Sequence, residues 1–259
     1  MIGDNDFILD QMIWSFSRLQ SFENCKYEWY LNYIECENEN KCSNIFAEFG
    51  TFCHMILQKY FNYELQKYEL AEFYKEYYED FVKTPCFMKN DMSSKLYDEG
   101  LKYFSNITLE PNKMDIISVE QEYIGTIGKY KFRGIIDLLY KDGNNFVIMD
   151  HKSARSPLTK NGIVQKSCVD KVKEYKRQLY LYSMFIYNKY GVYPKYLEWN
   201  FFRSNQIYRI YFDNNEYQES INWAQSVIDR IYQEDKFEPN QEFFYCSHLC
   251  DFRVSCDFN

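Results

Sequence analysis

Two carboxylates and one ammonium stand close together in the middle of the sequence. Asp150 and Lys152 lie at the end of the segment FVIMDHK, whose first four residues are apolar as in a buried strand. Asp137 lies in the apolar segment before it, GIIDLLY. Carboxylates on neighbouring strands repel each other unless a cation compensates, and Mg²⁺ and Mn²⁺ prefer carboxylate and water oxygens. These residues therefore indicate a divalent-metal site, with a partly exposed salt-bridge cluster as the structural alternative.

The turn between the two runs decides whether Asp137 joins this group. KDGNN favours a two-residue hairpin loop, at either 142–143 or 143–144. Because side chains alternate between the two faces of a strand, either loop places Asp137 on the face that also carries Asp150 and Lys152. A three- or five-residue loop would turn Asp137 to the other face.

Helical and strand-like segments surround these residues. Apolar periodicity and punctuating residues predict, in chain order, a helix over 14–34 with Ser17 as N-cap, one or two helices over 45–83, a helix over 95–105, and strands over 115–124, 129–140 and 146–152. The same patterns predict a helix over 170–190, strands over 196–203 and 206–212, a helix over 214–234 and a loop-like tail over 235–259. The three central strands are expected to form an antiparallel meander. This order predicts an α/β protein with a helical N-terminal part.

Length and composition are those of one large globular domain. We expect the 259 residues to form a single domain with a helical region over 14–105, a sheet-and-helix region over 112–234 and a Cys-rich tail over 235–259. No run of 18 apolar residues predicts a membrane span, and the acidic start MIGDNDFILD lacks the pattern of a signal peptide. A cytoplasmic location is the expectation.

The charge of −8 argues against a general affinity for nucleic acid, since phosphate binding needs Lys and Arg. Residues 152–177 are the exception, with eight Lys and Arg against two acids. A solvated face is the simpler explanation of such a run. As candidate DNA contacts within it we select Arg155, Lys160, Lys173, Lys176 and Arg177.

Three of the nine cysteines, Cys246, Cys250 and Cys256, lie within 11 residues of the tail. Together with a distant fourth cysteine they would form a thiolate set suited to a [4Fe–4S] cluster or to Zn²⁺. Spacing alone slightly favours Zn²⁺, and unrelated buried thiols are the structural alternative.

Four segments resemble motifs of the PD-(D/E)XK nuclease superfamily, and they follow one another along the chain in the order of the family. GIIDLLY and VIMDHKSA resemble its core, with Asp137 as the first acid and Asp150-x-Lys152 as the D-x-K element. GTFCHMIL resembles the helix motif of the RecB-like branch, and matches the metal-binding histidine of that motif with His54. RQLYLYSMF matches the Q-x-x-x-Y helix of that branch, with Gln178 and Tyr182.

The two ends of the chain resemble one particular branch of this superfamily. SFSRLQSFENC and YCSHLCDFRVSC are similar to the split iron–sulfur cysteines of AddB-like and CRISPR-associated exonucleases. They depart from that pattern in two places: Cys25-Lys26 replaces the usual Cys-Pro, and the tail spacing is C-x3-C-x5-C.

The resemblance implies a restriction-endonuclease-like mixed sheet core flanked by helices, with a Cys-stapled C-terminal tail. It implies a Mg²⁺- or Mn²⁺-dependent deoxyribonuclease, an exonuclease rather than a sequence-specific enzyme. DNA would be its substrate, and a helicase, recombination or integrase protein its partner. A non-catalytic nucleic-acid-binding subunit of a repair or CRISPR-adaptation complex is the alternative.

The resemblance also assigns roles to individual residues. The metal ligands would be His54, Asp137 and Asp150. The catalytic residues would be Asp137, Asp150, Lys152, Gln178 and Tyr182. The [4Fe–4S] ligands would be Cys25, Cys246, Cys250 and Cys256, with Zn²⁺ as the alternative occupant. We interpret the remaining five cysteines, at positions 36, 42, 53, 86 and 168, as non-ligands. We expect Glu120 and Glu122 to be exposed, with an approach of one of them to the site as the alternative.

Overall fold

A six-stranded mixed sheet flanked by helices is the main element of the computed structural model, which describes residues 4–85 and 91–258. The strands are β1 (Trp14–Ser15), β2 (Asp115–Ile127), β3 (Tyr130–Asp142), β4 (Asn145–Lys152), β5 (Tyr196–Phe201) and β6 (Gln206–Tyr211). Their order is β1-β3-β4-β5-β6, with β2 paired to β3. The β3–β4 and β5–β6 pairs are antiparallel, whereas β1–β3 and β4–β5 are parallel. The predicted mixed sheet is therefore confirmed.

The helices lie before, between and after the strands. They are α1 (Asp4–Gln11), α2 (Phe16–Asn24), α3 (Lys26–Tyr33), α4 (Ile45–Phe61), α5 (Leu70–Phe81), α6 (Asp91–Ser105), α7 (Val169–Tyr190), α8 (Asn214–Gln233) and α9 (Phe243–His248). The predicted helices α4 to α8 are confirmed, with ends shifted by a few residues. The sequence analysis missed α1, and its prediction of a loop-like tail was wrong at α9. Cys86, interpreted as a non-ligand, lies outside the described residues.

The prediction of one helix over 14–34 was wrong, because Cys25 divides it into α2 and α3. Cys25 has extended backbone angles (φ −158°, ψ 115°), which no α-helix accommodates. Its Sγ atom then accepts the backbone N–H of Glu28 at 3.5 Å and so caps α3. The N-cap of α2 is Ser15 rather than Ser17, with its side chain accepting the N–H of Arg18 at 3.3 Å.

The β3–β4 hairpin has the predicted two-residue loop. Asp142 pairs with Asn145, which leaves Gly143 and Asn144 as the loop. Gly143, the first loop residue, has φ +60°, as the first central position of a type II′ turn requires. The pairing runs back to Leu138 with Met149, so the next pair along the strands is Asp137 with Asp150.

Apolar packing fixes the faces of β3 and β4. Leu138, Val147 and Met149 belong to a buried cluster with the apolar faces of α4, α5 and α6. This packing holds α4, the helix that carries His54, against the central strands. A one-residue slip of either strand would turn these side chains away from the helices onto the other face of the sheet, so this packing helps to determine the register of the two acids.

The chain forms two compact units. One consists of Met1–Asn44, Ile124–Gly134 and Gln218–Asn259, and the other of Ile45–Tyr123 and Ile135–Tyr217. The four cysteines predicted to bind a cluster belong to the first unit. All residues predicted to bind the divalent metal or to act in catalysis belong to the second. No helix in the described part of the chain is long and apolar enough to cross a bilayer.

Candidate metal centre

Three side chains from three elements converge on one point. His54 of α4 has its Nδ1 atom 3.5 Å from Glu120 Oε1 of β2 and 3.6 Å from Asp137 Oδ2 of β3. One ligand atom from each lies within 4.8 Å of the others. An imidazole nitrogen with two carboxylate oxygens is a donor set that suits Mn²⁺ or Mg²⁺. These residues therefore fit a divalent ion.

Glu120 belongs to this group although the sequence analysis expected it to be exposed. Its φ is +46°, an unusual value for a non-glycine residue within a strand. The burial pattern of β2 changes phase there: Ile116 and Ser118 are partly buried before the bend, and Tyr123 and Ile127 are buried after it. Such a bulge re-aims one side chain. Glu122 is exposed, as expected.

Proton affinities in this group are strongly perturbed. Burial by itself lowers the pKa of His54, but its hydrogen bond to Glu120 and the nearby charges of Asp137 and Asp150 outweigh burial and raise it to about 9. Burial, followed by the charge of Asp150, raises the pKa of Asp137 to about 7. An acid whose pKa is raised in this way, beside a histidine that holds its proton, forms a site where a divalent cation would replace protons.

Asp150 and Lys152 form the neighbouring part of the site. The Nζ atom of Lys152 lies 2.7 Å from Asp150 Oδ2 and 2.7 Å from Gln178 Oε1 of α7. The contact with Asp150 is an ion pair without hydrogen-bond geometry, so this buried Oδ2 atom has no hydrogen-bond partner among the described residues. A buried carboxylate oxygen in this state has capacity left for a further ligand.

Helix α7 holds Lys152 through two more side chains. The ammonium lies 5.0 Å from the centre of the Tyr175 ring, a cation–π contact. Gln178 is also hydrogen-bonded to Tyr182, whose pKa is raised chiefly by burial. Gln178 and Tyr182, predicted from the sequence to share a helix face, therefore form a chain of contacts that ends on Lys152. Tyr175, three residues before Gln178, was not predicted.

His151 lies on the opposite face of β4. Its ring stacks 5.6 Å from that of Phe61, and its Nδ1 atom is 3.1 Å from Asn200 Nδ2. Burial lowers the pKa of this imidazole well below its usual value, so the ring is neutral. Its backbone N–H donates to Asp137 Oδ2 at 2.7 Å, which fixes one oxygen of that acid.

An open cleft gives access to the metal ligands. His54, Glu120 and Ser153 are among the residues that line this cleft of about 560 Å³. Gly50 also lines it, and a Cβ atom at position 50 would lie 3.2 Å from Ser153 Oγ. The absence of a side chain at position 50 therefore lets α4 approach the segment that follows β4.

The basic residues selected as DNA contacts have different surroundings. Lys160 and Lys173 are exposed, and Arg177 is half-buried. Arg155 forms an ion pair with Glu99, and Lys176 forms one with Glu216 at 2.7 Å. Their role in DNA binding stays a prediction.

The four predicted cluster cysteines line one small cavity of the first unit. Cys25 and Cys250 are buried, and burial raises the pKa values of Cys246 and Cys250. Backbone N–H groups donate to two of the sulfurs, from Glu28 to Cys25 at 3.5 Å and from Phe252 to Cys250 at 3.4 Å. Four convergent sulfurs with N–H donors suit a thiolate-bound metal group.

The buried Glu28 connects this cavity to the tail. Its carboxylate accepts hydrogen bonds from Tyr245 Oη at 2.5 Å and from the Asp251 backbone N–H at 2.9 Å. It is 5% exposed. Since a buried carboxylate is costly unless hydrogen-bonded, these bonds hold the tail segment against α3. The spacing of the cysteines gave no sign of this residue.

The mixed sheet and the site define a class, that of nucleases with a metal centre at the end of a central hairpin. The PD-(D/E)XK nuclease superfamily model matches residues 13–257, and the chain belongs to this superfamily. Its members use divalent metals, and the group formed by His54, Glu120 and Asp137 could hold one.

One solved structure resembles this fold. A crystal structure from Eubacterium rectale, named "Putative exonuclease", matches with a TM-score of 0.54 and 15% identity, over 97% of this chain and 90% of that one. The crystal structure named SSO0001 matches with 18% identity over 74% of this chain and 80% of that one, at a TM-score of only 0.35. No curated protein matches the sequence.

Proposed function

We propose that this protein is a metal-dependent deoxyribonuclease that degrades DNA from ends or single strands. The observation that carries the proposal is the juxtaposition of His54, Glu120 and Asp137 with the Asp150–Lys152 pair. Family membership supports a nuclease, and the relative named as an exonuclease supports the mode of cleavage. The assignment of individual catalytic residues is part of the proposal.

Each side chain has a defined task in this proposal. When bound, Mg²⁺ or Mn²⁺ supplies Lewis acidity towards the scissile phosphate and lowers the pKa of water. His54, Glu120 and Asp137 would hold it, with Asp150 as a further ligand through its unsatisfied Oδ2 atom. The His151 N–H keeps Asp137 Oδ2 in place.

Lys152 would act on the phosphate directly. Its ammonium donates to a non-bridging oxygen and stabilises the negative charge that develops in the transition state. Gln178 and Asp150 fix the position of the Nζ atom, each at 2.7 Å. Tyr182 in turn orients the amide of Gln178. Preorganised charge of this kind requires little reorganisation during the reaction.

End-labelled single-stranded and double-stranded DNA tests this function. With Mn²⁺ or Mg²⁺, we expect the wild type to shorten the DNA progressively and Lys152→Ala to be inactive, while EDTA stops the reaction. Equal degradation by wild type and Lys152→Ala would reveal a contaminating nuclease. Binding of DNA without cleavage under all metal conditions would favour the non-catalytic subunit instead. Internal fragments would indicate an endonuclease.

We further propose that the cysteine cavity binds a [4Fe–4S] cluster through Cys25, Cys246, Cys250 and Cys256, as in the RecB/AddB-like branch. Tetrahedral Zn²⁺ would hold its thiolates about 3.8 Å apart, given a Zn–S bond of about 2.3 Å. Among the described residues, no three Cys sulfurs lie within 4.8 Å of one another. The support for a cluster is that all four cysteines line one cavity, together with the resemblance of the two ends of the chain to that branch.

Anaerobic purification tests the cluster. We expect a brown protein that absorbs at about 400 nm, which is typical of thiolate-bound iron–sulfur clusters. Cys250→Ala should lose this absorbance, and Cys168→Ala should retain it. A colourless protein that contains one equivalent of zinc would show that Zn²⁺ is the occupant. A helicase, recombination or integrase partner remains part of this proposal, and co-purification from the native host tests it.

A further inference from the structure

The connection between β4 and α7 contains a small hairpin, residues 157–165, which we call the finger. The Thr159 N–H donates to the Ile163 carbonyl at 2.8 Å, and the Gln165 N–H donates to the Pro157 carbonyl at 2.9 Å. Leu158 forms an antiparallel bridge with Val164. These backbone bonds close the finger on itself, although the sequence analysis found no regular structure there.

The tip of the finger is a tight turn. The Gly162 N–H donates to the Thr159 carbonyl at 3.0 Å, and the Ile163 N–H donates to Thr159 Oγ1 at 3.2 Å. Gly162 has φ +75°, which favours glycine. The turn therefore fixes the direction in which Ile163 leaves the backbone.

The base of the finger is attached to its surroundings. Arg155 forms an ion pair with Glu99 of α6, and Glu99 also accepts the Arg203 Nε–H at 2.6 Å. The Ser156 N–H donates to Ser204 Oγ at 2.9 Å. A base held by these contacts and a tip held by its own hydrogen bonds make the finger a defined projection rather than a free loop.

An exposed aliphatic side chain lies at this tip, with a lysine before it and another after it in the sequence. Ile163 is 65% exposed, and Lys160 and Lys166, on either side of it in sequence, are exposed as well. Single exposed apolar side chains are common and need no explanation by themselves. What distinguishes Ile163 is its place on a hydrogen-bonded turn between two exposed lysines in the sequence, on the connection that joins the strand of Lys152 to the helix of Gln178.

We propose that the finger binds unpaired bases of the DNA substrate, an inference that rests on the nuclease function proposed above. Lys160 of the finger and Lys166 directly after it contact backbone phosphates, and Ile163 packs against the face of an unpaired base and buries apolar surface there. The substrate class is therefore DNA whose end is single-stranded or frayed. A blunt end exposes only the outer face of its terminal pair and has no separated base that can turn towards Ile163.

The test measures the rate of degradation of three DNA substrates in the presence of the metal: a single strand, a duplex with a splayed end and a blunt duplex of the same sequence. We expect the wild type to degrade the first two faster than the blunt duplex. Ile163→Ala should lower the rates on these two about 5- to 10-fold, the scale of one lost base contact, and leave the blunt rate unchanged. Val169→Ala is the matched control, because Val169 is also exposed, at 53%, and lies outside the finger.

A binding measurement separates recognition from chemistry. In EDTA, 2-aminopurine is placed in the last base pair next to the splayed end. Its fluorescence should change when wild-type protein or Val169→Ala binds, and it should change less when Ile163→Ala binds. Ile163→Phe should retain the change, since it keeps an apolar side chain at the tip. Equal melting temperatures of the variants would exclude a folding defect as the cause.

The two proposals fail in different ways. If the wild type cleaves none of the three substrates, the nuclease function is wrong. If it cleaves them but Ile163→Ala keeps the wild-type ratio of rates, or if the blunt duplex is the best substrate, the inference about the finger is wrong and the nuclease function stands.

Discussion

Gln178 accepts a hydrogen bond from the ammonium of Lys152 at 2.7 Å. The two residues lie on different elements, β4 and α7, and 26 positions apart in sequence. A glutamine at this place can accept from a lysine without neutralising it. Asp150 is the charged partner of this ammonium, at 2.7 Å, and Gln178 fixes its position from a helix that the core holds.

Replacing Gln178 by Leu should lower kcat more than it changes metal affinity. A hydrogen bond to a charged group contributes about 1.5–3 kcal/mol, so we expect kcat to fall about 10- to 100-fold. The Kd for Mn²⁺, measured by calorimetry, should stay within about twofold of wild type because Gln178 is not among the grouped ligands. Gln218→Leu, an exposed glutamine of α8, is the control. A large rise in Kd with unchanged kcat would place Gln178 in the metal site.

Glu120→Gln should weaken metal binding. Glu120 offers one of three grouped ligand atoms, and we expect the Kd for Mn²⁺ to rise at least about 10-fold, the lower end of what outer-shell changes cause in metal sites. The neighbouring Glu122→Gln removes the same charge from an exposed position and should leave Kd unchanged. Equal effects of the two variants would mean that Glu120 acts only through long-range charge.

The metal-free protein should lose stability as the pH rises, and metal should reverse the trend. The pKa of His54 is raised from 6.5 to about 9, and that of Asp137 from 3.8 to about 7. Both groups bind protons more tightly in the folded state, so their contribution to stability falls as pH rises through these intervals. Melting temperatures in EDTA should decrease between about pH 6 and pH 9.

Added Mn²⁺ competes with these same protons. The increase in melting temperature that Mn²⁺ produces should therefore grow over the same pH interval. His54→Asn should flatten both trends, because it removes the group that titrates highest. A stabilisation by Mn²⁺ that is constant across this interval would contradict the site.

Gly100→Ala should destabilise the protein, against the usual preference for alanine in helices. In an open helix the change would gain up to about 1 kcal/mol. In α6, however, a Cβ atom at position 100 would lie 2.6 Å from Cζ of the buried Tyr74 ring. We expect a net loss of about 1–3 kcal/mol in the free energy of unfolding, measured by urea denaturation. In a Tyr74→Leu background the same change should be neutral or stabilising. Similar losses in both backgrounds would exclude the clash.

The local patterns that the sequence encodes directly were the ones predicted correctly. The loop at Gly143 and Asn144 follows from turn chemistry, and it brings Asp137 opposite Asp150 without any knowledge of the rest of the fold. The periodicity of α7 similarly places Gln178 and Tyr182 on one face. Both predictions depend on residues near in sequence, where propensity and alternation are strong.

The features that were missed depend on contacts between distant segments. Glu120 could not be assigned because the bend at its backbone is stabilised by packing on both sides of β2. Helical periodicity continues through Cys25, so only the structure reveals the break between α2 and α3. The cation–π contact of Tyr175 with Lys152 likewise requires the position of α7 on the sheet.

The positive φ of Glu120 is unfavourable for folding, whereas its carboxylate is needed for the proposed metal site. A non-glycine residue in this region of backbone space carries strain of about 1 kcal/mol or more, which glycine would relieve. A glycine at position 120 would thus make the metal-free fold easier to form while removing a ligand. Glutamate at this position is therefore expected to be favourable for the folded protein only when the ion that we propose here is bound, because the binding free energy then outweighs the backbone strain.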